Sequence, residues 1–390
     1  MEWFFGICAA ALAYTYAGYP AAIWVMSLWR GRPARKGRFE GGASVLIAAH
    51  NEANVLPGKV GQLLDMAGRE PIREIWIGLD GCTDGTAEKV KEVVEARRRE
   101  GVRPDGGEGS ECPVRLAEFR ERRGKAATLN ELMGRAGQPV LAMLDARQRI
   151  EDGAVAALLE NFADPEVGVA SGELVFEEAS GGAQKGAQSY WGYEKFIRRC
   201  ESRFWAVPGA TGAFYAIRRE LCGPIPENTL VDDVLIPMRA VMGGCRCVFD
   251  AEARAYDRAS EDFASEDARK RRTLAGIWQL ARLEPRLFGP GNPIWFQWIS
   301  HKFLRLLTPL YVAGCGAALA ALAWEGGRGW RILGACAAAG ALASGIAHWA
   351  GRGGRSRALG LLGGFWGVNL ALARAAADAA AGRFEARWKR

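Results

Sequence analysis

Apolar and polar positions divide the chain into an apolar start, a mixed and charged middle, and an apolar end. From Trp3 to Trp29 no charged residue falls between Glu2 and Arg30. A helix of roughly 20 apolar residues crosses a bilayer, so this run is long enough to span with some tilt. It exceeds the core of a secretory signal and lacks both a basic leader and a cleavage site, which favours a spanning helix over residues 1–30. Trp3, Phe4, Tyr19, Trp24 and Trp29 supply aromatic residues, several of them near the expected interfaces.

Over residues 43–259 the pattern alternates between short apolar runs and helical periodicity. Strands are predicted at Ser44–Ala49, Glu74–Leu79, Val114–Glu118 and Val140–Leu144. Helices are predicted at Asn54–Met66, Thr86–Arg99, Lys125–Gly137 and Glu151–Phe162. This order implies an α/β domain with a mostly parallel sheet and helices on both faces. Gly101–Cys112 and Ala179–Gly186 read as surface inserts.

Beyond Ala259 the pattern changes again. Residues 260–307 read as amphipathic or interfacial helices, with Ile294–Leu307 mixing aromatics with His301, Lys302 and Arg305. Residues 308–380 carry most of three Ala- and Gly-rich apolar segments, at Leu306–Trp324, Trp330–Trp349 and Leu359–Ala377, read as transmembrane helices. Their alternative is a buried helical domain, because Ala is only mildly apolar. Gly360, Gly363, Gly364 and Gly367 are spaced for close helix contact. Three spans would carry the basic tail Arg383–Arg390 across the membrane, so one segment is expected to be re-entrant or interfacial.

Charge then sets the orientation. Arg30, Arg32, Arg35, Lys36 and Arg38 follow the first span and only Glu2 precedes it. Positive flanks stay inside, so a multi-pass protein of the cell (inner) membrane with a cytoplasmic middle domain is expected. The net charge of +7 is then accounted for by basic segments near anionic lipid. The apolar ends argue against a nucleic-acid partner. The 9 cysteines are odd in number and scattered, and Cys245 and Cys247 have no second pair or nearby histidine to complete a zinc site.

In an open α/β sheet, ligands bind outside the carboxyl ends of the strands. His50, Asn51 and Glu52 follow the first strand, Asp80 to Thr86 the second, and Asp145 the fourth. A lone acid there is more often a cap or turn residue, but acids at several strand ends can share one cleft. A nicotinamide fingerprint, a P-loop, a nucleophile elbow and a zinc-protease helix are all absent from the sequence.

The blocks Val45–Glu52, Asp80–Thr86, Arg123–Asn130, Asp145, Gly209–Ala213 and Asp232–Asp233, taken in this order, resemble the family 2 inverting glycosyltransferases. The apolar helices on both sides resemble the polysaccharide-synthase-like branch of that family. The resemblance implies a GT-A type nucleotide-sugar-binding domain flanked by transmembrane helices. It implies Asp233 as general base with Asp232 beside it. Donor binding would fall to Asn51, Glu52, Asp80, Asp84, Lys125 and Asp145, and Asp145 would bind a divalent cation, Mg or Mn. Gly212, Arg272 and Trp278 would face acceptor or product. The partners implied are a nucleotide-sugar donor, a glycan or lipid-linked acceptor, and the membrane.

Each assignment has a competitor in the residues themselves. Asp232 and Asp233 could cap the helix that follows, and Lys125 could be an exposed helix-end lysine. Arg147 stands where the family carries a second acid after Asp145, which weakens the metal expectation. Arg269 to Thr273 replaces a Gln-x-x-Arg-Trp block, retaining only Arg272, which weakens processive polymerisation. A silent membrane protein that binds nucleotide with the same fold is the rival reading.

Overall fold

A computed structural model describes residues 1–99, 113–177, 182–257, 263–350 and 357–384; the inserts expected at Gly101–Cys112 and Ala179–Gly186 lie wholly or partly outside them. Strand β1 (Ala43–Ala49) is buried along its whole length, as a run without a polar face must be when both sides of a sheet are covered. Its alternate residues serve two cores. Val45, Ile47 and Ala49 face one layer with α3 (Leu56–Ala67), α4 (Thr86–Arg99) and α6 (Ala154–Glu160). Leu46 and Ala48 face the other, with α5 (Lys125–Arg135) and α8 (Asp232–Met242).

The remaining predicted strands form as β2 (Ile72–Asp80), β3 (Val114–Phe119) and β4 (Val140–Leu144), and all four run parallel. The sheet does not stop there. It has eight strands in the order β3-β2-β1-β4-β7-β6-β8-β5, adding β5 (Arg149–Ile150), β6 (Val167–Phe176), β7 (Phe214–Arg218) and β8 (Arg246–Asp257). Strand β7 is antiparallel to both β4 and β6, so the mostly parallel sheet expected from sequence is corrected to a mixed one. The reason lies in the loop before β7. Ala213 meets the end of β4, where Asp145 N–H donates to Ala213 C=O at 3.4 Å, so β7 starts where β4 stops and must return.

Helix α7 (Gly182–Phe204) links β6 to that loop, and α9 (Phe263–Leu283) follows β8. The N-terminal run is helical, but a π-turn at Tyr14–Gly18 divides it into α1 (Glu2–Ala13) and α2 (Tyr19–Trp29). Tyr19 and Ile23 are fully buried against Ile197 and Cys200 of α7, while Trp3, Ile7, Trp24, Val25, Leu28 and Trp29 stay exposed. The basic stretch after α2 is partly committed to the domain. Arg32 pairs with Glu166 at 3.1 Å, Arg35 with Asp164 at 3.4 Å and Lys36 with Asp250 at 2.9 Å.

At the other end, short helices α10 (Trp295–Gln297) and α11 (Leu304–Leu306) flank a π-helical stretch, Trp298–Phe303. Helices α12 (Thr308–Glu325), α13 (Arg328–Ala350) and α14 (Arg357–Ala380) follow. Among the described residues one helix, at Arg328–Ile346, is long and apolar enough to cross a membrane, or two if the pair bent by 57° at Leu307 counts as one span. The third expected span lies in α14, and its end docks on the domain. Arg271 Nη2 donates to Asp378 Oδ1 at 2.7 Å and Arg282 Nη2 to Ala379 C=O at 3.0 Å.

Candidate active site

The order β2-β1-β4 places the carboxyl ends of three parallel strands side by side, with the order of strand addition reversing at β1. Asp80, the last residue of β2, is fully buried and accepts the N–H of Arg123 at 2.6 Å and of Gly124 at 2.8 Å. Its carboxylate thereby fixes the loop that delivers Lys125. Two glycines make this approach feasible. At Gly81 (φ 60°) a Cβ would lie 2.7 Å from Arg122 N, and Gly124 turns the chain at φ 91°. Asn51 Oδ1 accepts the Thr83 N–H at 2.8 Å, and the Glu52 N–H reaches Thr86 Oγ1 at 2.9 Å. Asp84 accepts the N–H groups of Ala53 and Thr86, both at 3.1 Å, so it stitches the first two strand-end loops together.

Lys125 opens α5 and points into the cleft. Its Nζ lies 3.1 Å from Asp145 Oδ1 and 3.3 Å from Asp232 Oδ2. Burial alone would lower this ammonium's pKa; Asp145, Asp232 and Asp233 more than offset that and hold it above the lysine range. Asp233 follows in the first turn of α8. Burial pushes its carboxyl up to about 6, Asp232 and Asp145 add to the rise, and Lys125 and Lys302 oppose it. The loop Gly209–Ala213 holds this acid from the other side, with Ala210 N–H donating to Asp233 C=O at 2.8 Å. A Cβ built on Gly212 would stand 2.8 Å from Asp233 Oδ2. Gly212→Ala is therefore expected to displace that carboxylate and lower kcat roughly 100-fold with little change in melting temperature; unchanged kcat would show that the contact is idle.

The expected residues Asp145, Lys125, Asp232, Asp233 and Gly212 thus share one place, and the Asp80 cluster backs onto it through Arg123 and Gly124. Arg272 and Trp278 stand apart on α9. Arg272 makes no hydrogen bond or ion pair among the described residues, whereas Trp278 packs edge-on against Phe303 at 5.5 Å. Arg147 is exposed and Gln148 is buried, the latter donating to Asp257 Oδ2 at 2.9 Å.

Several neighbours were missed from sequence. Tyr215 lines the small cavity beside Lys125, Asp145 and Asp232, and among the described residues its buried hydroxyl makes no hydrogen bond. Lys59 donates to Gln148 C=O at 2.6 Å, and burial lowers its pKa to about 7 against the pull of Asp145. Arg198 binds the Gly209–Ala213 loop through Thr211 Oγ1 at 2.5 Å and Gly209 C=O at 3.3 Å. In β7 both faces are buried, Phe214 and Ala216 in one layer and Tyr215 and Ile217 in the other, so nothing local in the sequence marks any of the three.

A profile described as "Glycosyl transferase family 2" matches residues 44–224, and one described as "Glycosyl transferase family group 2" matches residues 140–349. The second alone covers more than half of the chain. The chain belongs to the family 2 glycosyltransferases. Among curated relatives, the poly-beta-1,6-N-acetyl-D-glucosamine synthase of Staphylococcus aureus (strain MSSA476) is 22% identical over 243 residues, 61% of this chain and 52% of the relative. The same-named protein of strain COL matches equally, so the chain spans about half the length of the curated relatives it matches. Among solved structures, a mannosyltransferase from Pyrobaculum calidifontis in complex with GDP-Man and Mn²⁺ aligns with TM-score 0.71 at 22% identity. That alignment covers 97% of this chain and 99% of the other. At this identity the match establishes the fold: a GT-A-like α/β domain with a mixed sheet, in a family 2 glycosyltransferase.

Proposed function

We propose that this family 2 glycosyltransferase moves a sugar, with inversion, from a nucleoside diphosphate sugar to a glycan or lipid-linked acceptor at the cytoplasmic face of a membrane. The observation that carries the reading is the juxtaposition of Lys125, held between Asp145 and Asp232, with the raised carboxyl of Asp233. Asp233 takes the proton of the acceptor hydroxyl as that oxygen bonds the anomeric carbon and the bond to the diphosphate breaks. Lys125, at a helix start, stabilises the negative charge that gathers on the departing diphosphate. Asp80 and the Asn51–Glu52 turn hold the loops that receive the nucleoside.

Asp145 suits a divalent cation in part. One oxygen meets Lys125, the side chain is 36% exposed, and its hard oxygens are what Mg²⁺ or Mn²⁺ selects. Among the described residues no three His, Cys, Asp or Glu side chains form a ready-made metal site, so donor phosphates and water would complete the coordination. A bound cation would supply further neutralisation of the diphosphate.

Membrane attachment is supported by the large apolar side chains left exposed on the terminal helices, including Trp3, Trp24, Trp29, Leu310, Trp324, Ile332 and Leu342. How many helices cross, and so the multi-pass arrangement, belongs to this proposal. The donor is proposed to be a UDP-sugar carrying a hexosyl or N-acetylhexosaminyl group. A panel of nucleotide sugars that includes N-acetylglucosamine and mannose donors, run in membranes with Mg²⁺, Mn²⁺ or chelator, tests the reading. One donor is expected to be turned over into short products, with chelation lowering the rate at least about tenfold. Turnover of no donor would leave a nucleotide-binding protein without transfer activity.

A further inference from the structure

Helix α7 carries Glu194, Arg198 and Glu201 about one turn apart, on one face. The two acids are taken by other elements. Glu194 accepts from Arg305 Nη1 at 2.7 Å, while Glu201 meets His301 Nδ1 at 2.7 Å and accepts the Tyr19 hydroxyl. Arg198 pairs with neither. Its side chain is buried, and among the described residues its hydrogen bonds reach neutral oxygens: Thr211 Oγ1 at 2.5 Å, Ser171 Oγ at 2.9 Å and Gly209 C=O at 3.3 Å. The face of Phe249, 4.8 Å from Cζ, completes its surroundings. A buried guanidinium without a carboxylate is costly, so an apolar side chain would serve better if packing were its whole role.

The oxygens it binds belong to the loop that meets the reacting acids. Thr211 and Gly209 lie in that loop, and Ser171, on β6, also accepts the Thr211 N–H at 2.9 Å. The intervening residues face the other way. Ala210 N–H donates to Asp233 C=O at 2.8 Å, and Gly212 fits beside the Asp233 carboxylate only because it lacks a Cβ. At the end of the loop, Ala213 C=O accepts the Asp145 N–H at 3.4 Å. Successive residues thus alternate between the guanidinium and the acid. A planar fork of donors that holds Gly209 and Thr211 fixes how far Ala210 and Gly212 press toward Asp233.

We infer that Arg198 is a positioning residue for sugar transfer, holding the Gly209–Ala213 loop at the depth that places the Asp233 carboxylate. The inference rests on the reading of Asp233 as the base. Without the clamp the loop withdraws, the carboxylate shifts, and water reaches it.

The test uses the full chain and its preferred donor. Arg198→Met is expected to lower kcat about 100-fold, as a misplacement of about 1 Å does, with the donor KM within about twofold. Arg198→Lys, which keeps a cation but not the fork, should stay within about tenfold of wild type. Thr211→Val removes the loop oxygen and no charge, and should lower kcat about tenfold even if Arg198→Met does not fold. Burial is the main cause of the raised Asp233 carboxyl, so in Thr211→Val the acid limb of the rate should move below its wild-type position near pH 6. The charged groups that act on that carboxyl, Asp232, Lys125, Asp145 and Lys302, are unchanged in this variant. An arginine that only stabilised the fold would lower the melting temperature and leave the limb in place. In Gly212→Ala, where the carboxylate is already displaced, adding Thr211→Val should cost less than about twofold more, because the two changes act through one contact. Wild-type kcat in Arg198→Met, an unmoved limb in Thr211→Val, or fully additive losses in the double variant overturn the positioning role and leave Asp233 as the base. An acid limb that survives in Asp233→Asn overturns the base and this inference with it, as does a wild type that turns over no donor.

Discussion

Asp233→Asn is expected to lower kcat by about 10²–10⁴-fold, the usual contribution of a general base, while donor affinity stays within about twofold of wild type. The amide fills the same space beside Gly212 and cannot accept the acceptor's proton. In the wild type the rate should rise with pH through about 6 and then level off, because the raised carboxyl must lose its proton before it can act as base. The asparagine variant should lose that limb along with the rate. Asp232 contributes to the rise, so Asp232→Asn should move the limb to lower pH. Initial rates against pH, with donor affinity measured separately by titration, decide the matter. Near-wild-type turnover in Asp233→Asn, or an acid limb that survives in it, would remove Asp233 from the role of base.

How far the sequence reaches can be followed residue by residue. Strands β1, β2 and β4 were legible because burial on both faces leaves short apolar runs, and the acids beyond them because polar residues at strand ends stand out from such runs; β3, a half-exposed edge strand carrying Arg115 and Glu118, gave the weaker pattern. The approach of Lys125 to Asp145 follows from those positions once the strands are parallel, whereas Asp232 reaches the cleft from the head of α8, beyond β7. Strand β7 was not legible as a reversal, because its direction depends on where Ala213 meets the end of β4. Lys302 shows the limit more sharply. A stretch of aromatic and basic residues reads the same whether its bases face lipid headgroups or buried acids. Here His301 meets Glu201, 100 residues upstream, and no local pattern carries that pairing. The third apolar segment behaves likewise, since Asp378 near its end finds Arg271 107 residues away.

Lys125→Met is expected to be the most damaging single change for stability and activity together. Lys125 is 17% exposed and Asp232 only 7%, so its loss leaves carboxylates in a poorly solvated site without their cation. Breaking a buried pair in this way costs about 3–5 kcal/mol, and losing a donor aimed at the leaving group costs about 10²–10³ in kcat. Lys125 also lowers Asp233, so in this variant the acid limb of the rate should move to higher pH. A merely exposed helix-end lysine would produce none of these effects. The structural and chemical parts separate in the double variant Lys125→Met/Asp145→Asn. Removing one of the stranded charges should restore most of the melting temperature, whereas no cation returns to meet the diphosphate and kcat should stay low. If stability and kcat recover together, Lys125 acts only by holding the acids in place. If Lys125→Met melts and turns over as the wild type does, the charge balance at the head of α5 is not what organises this site.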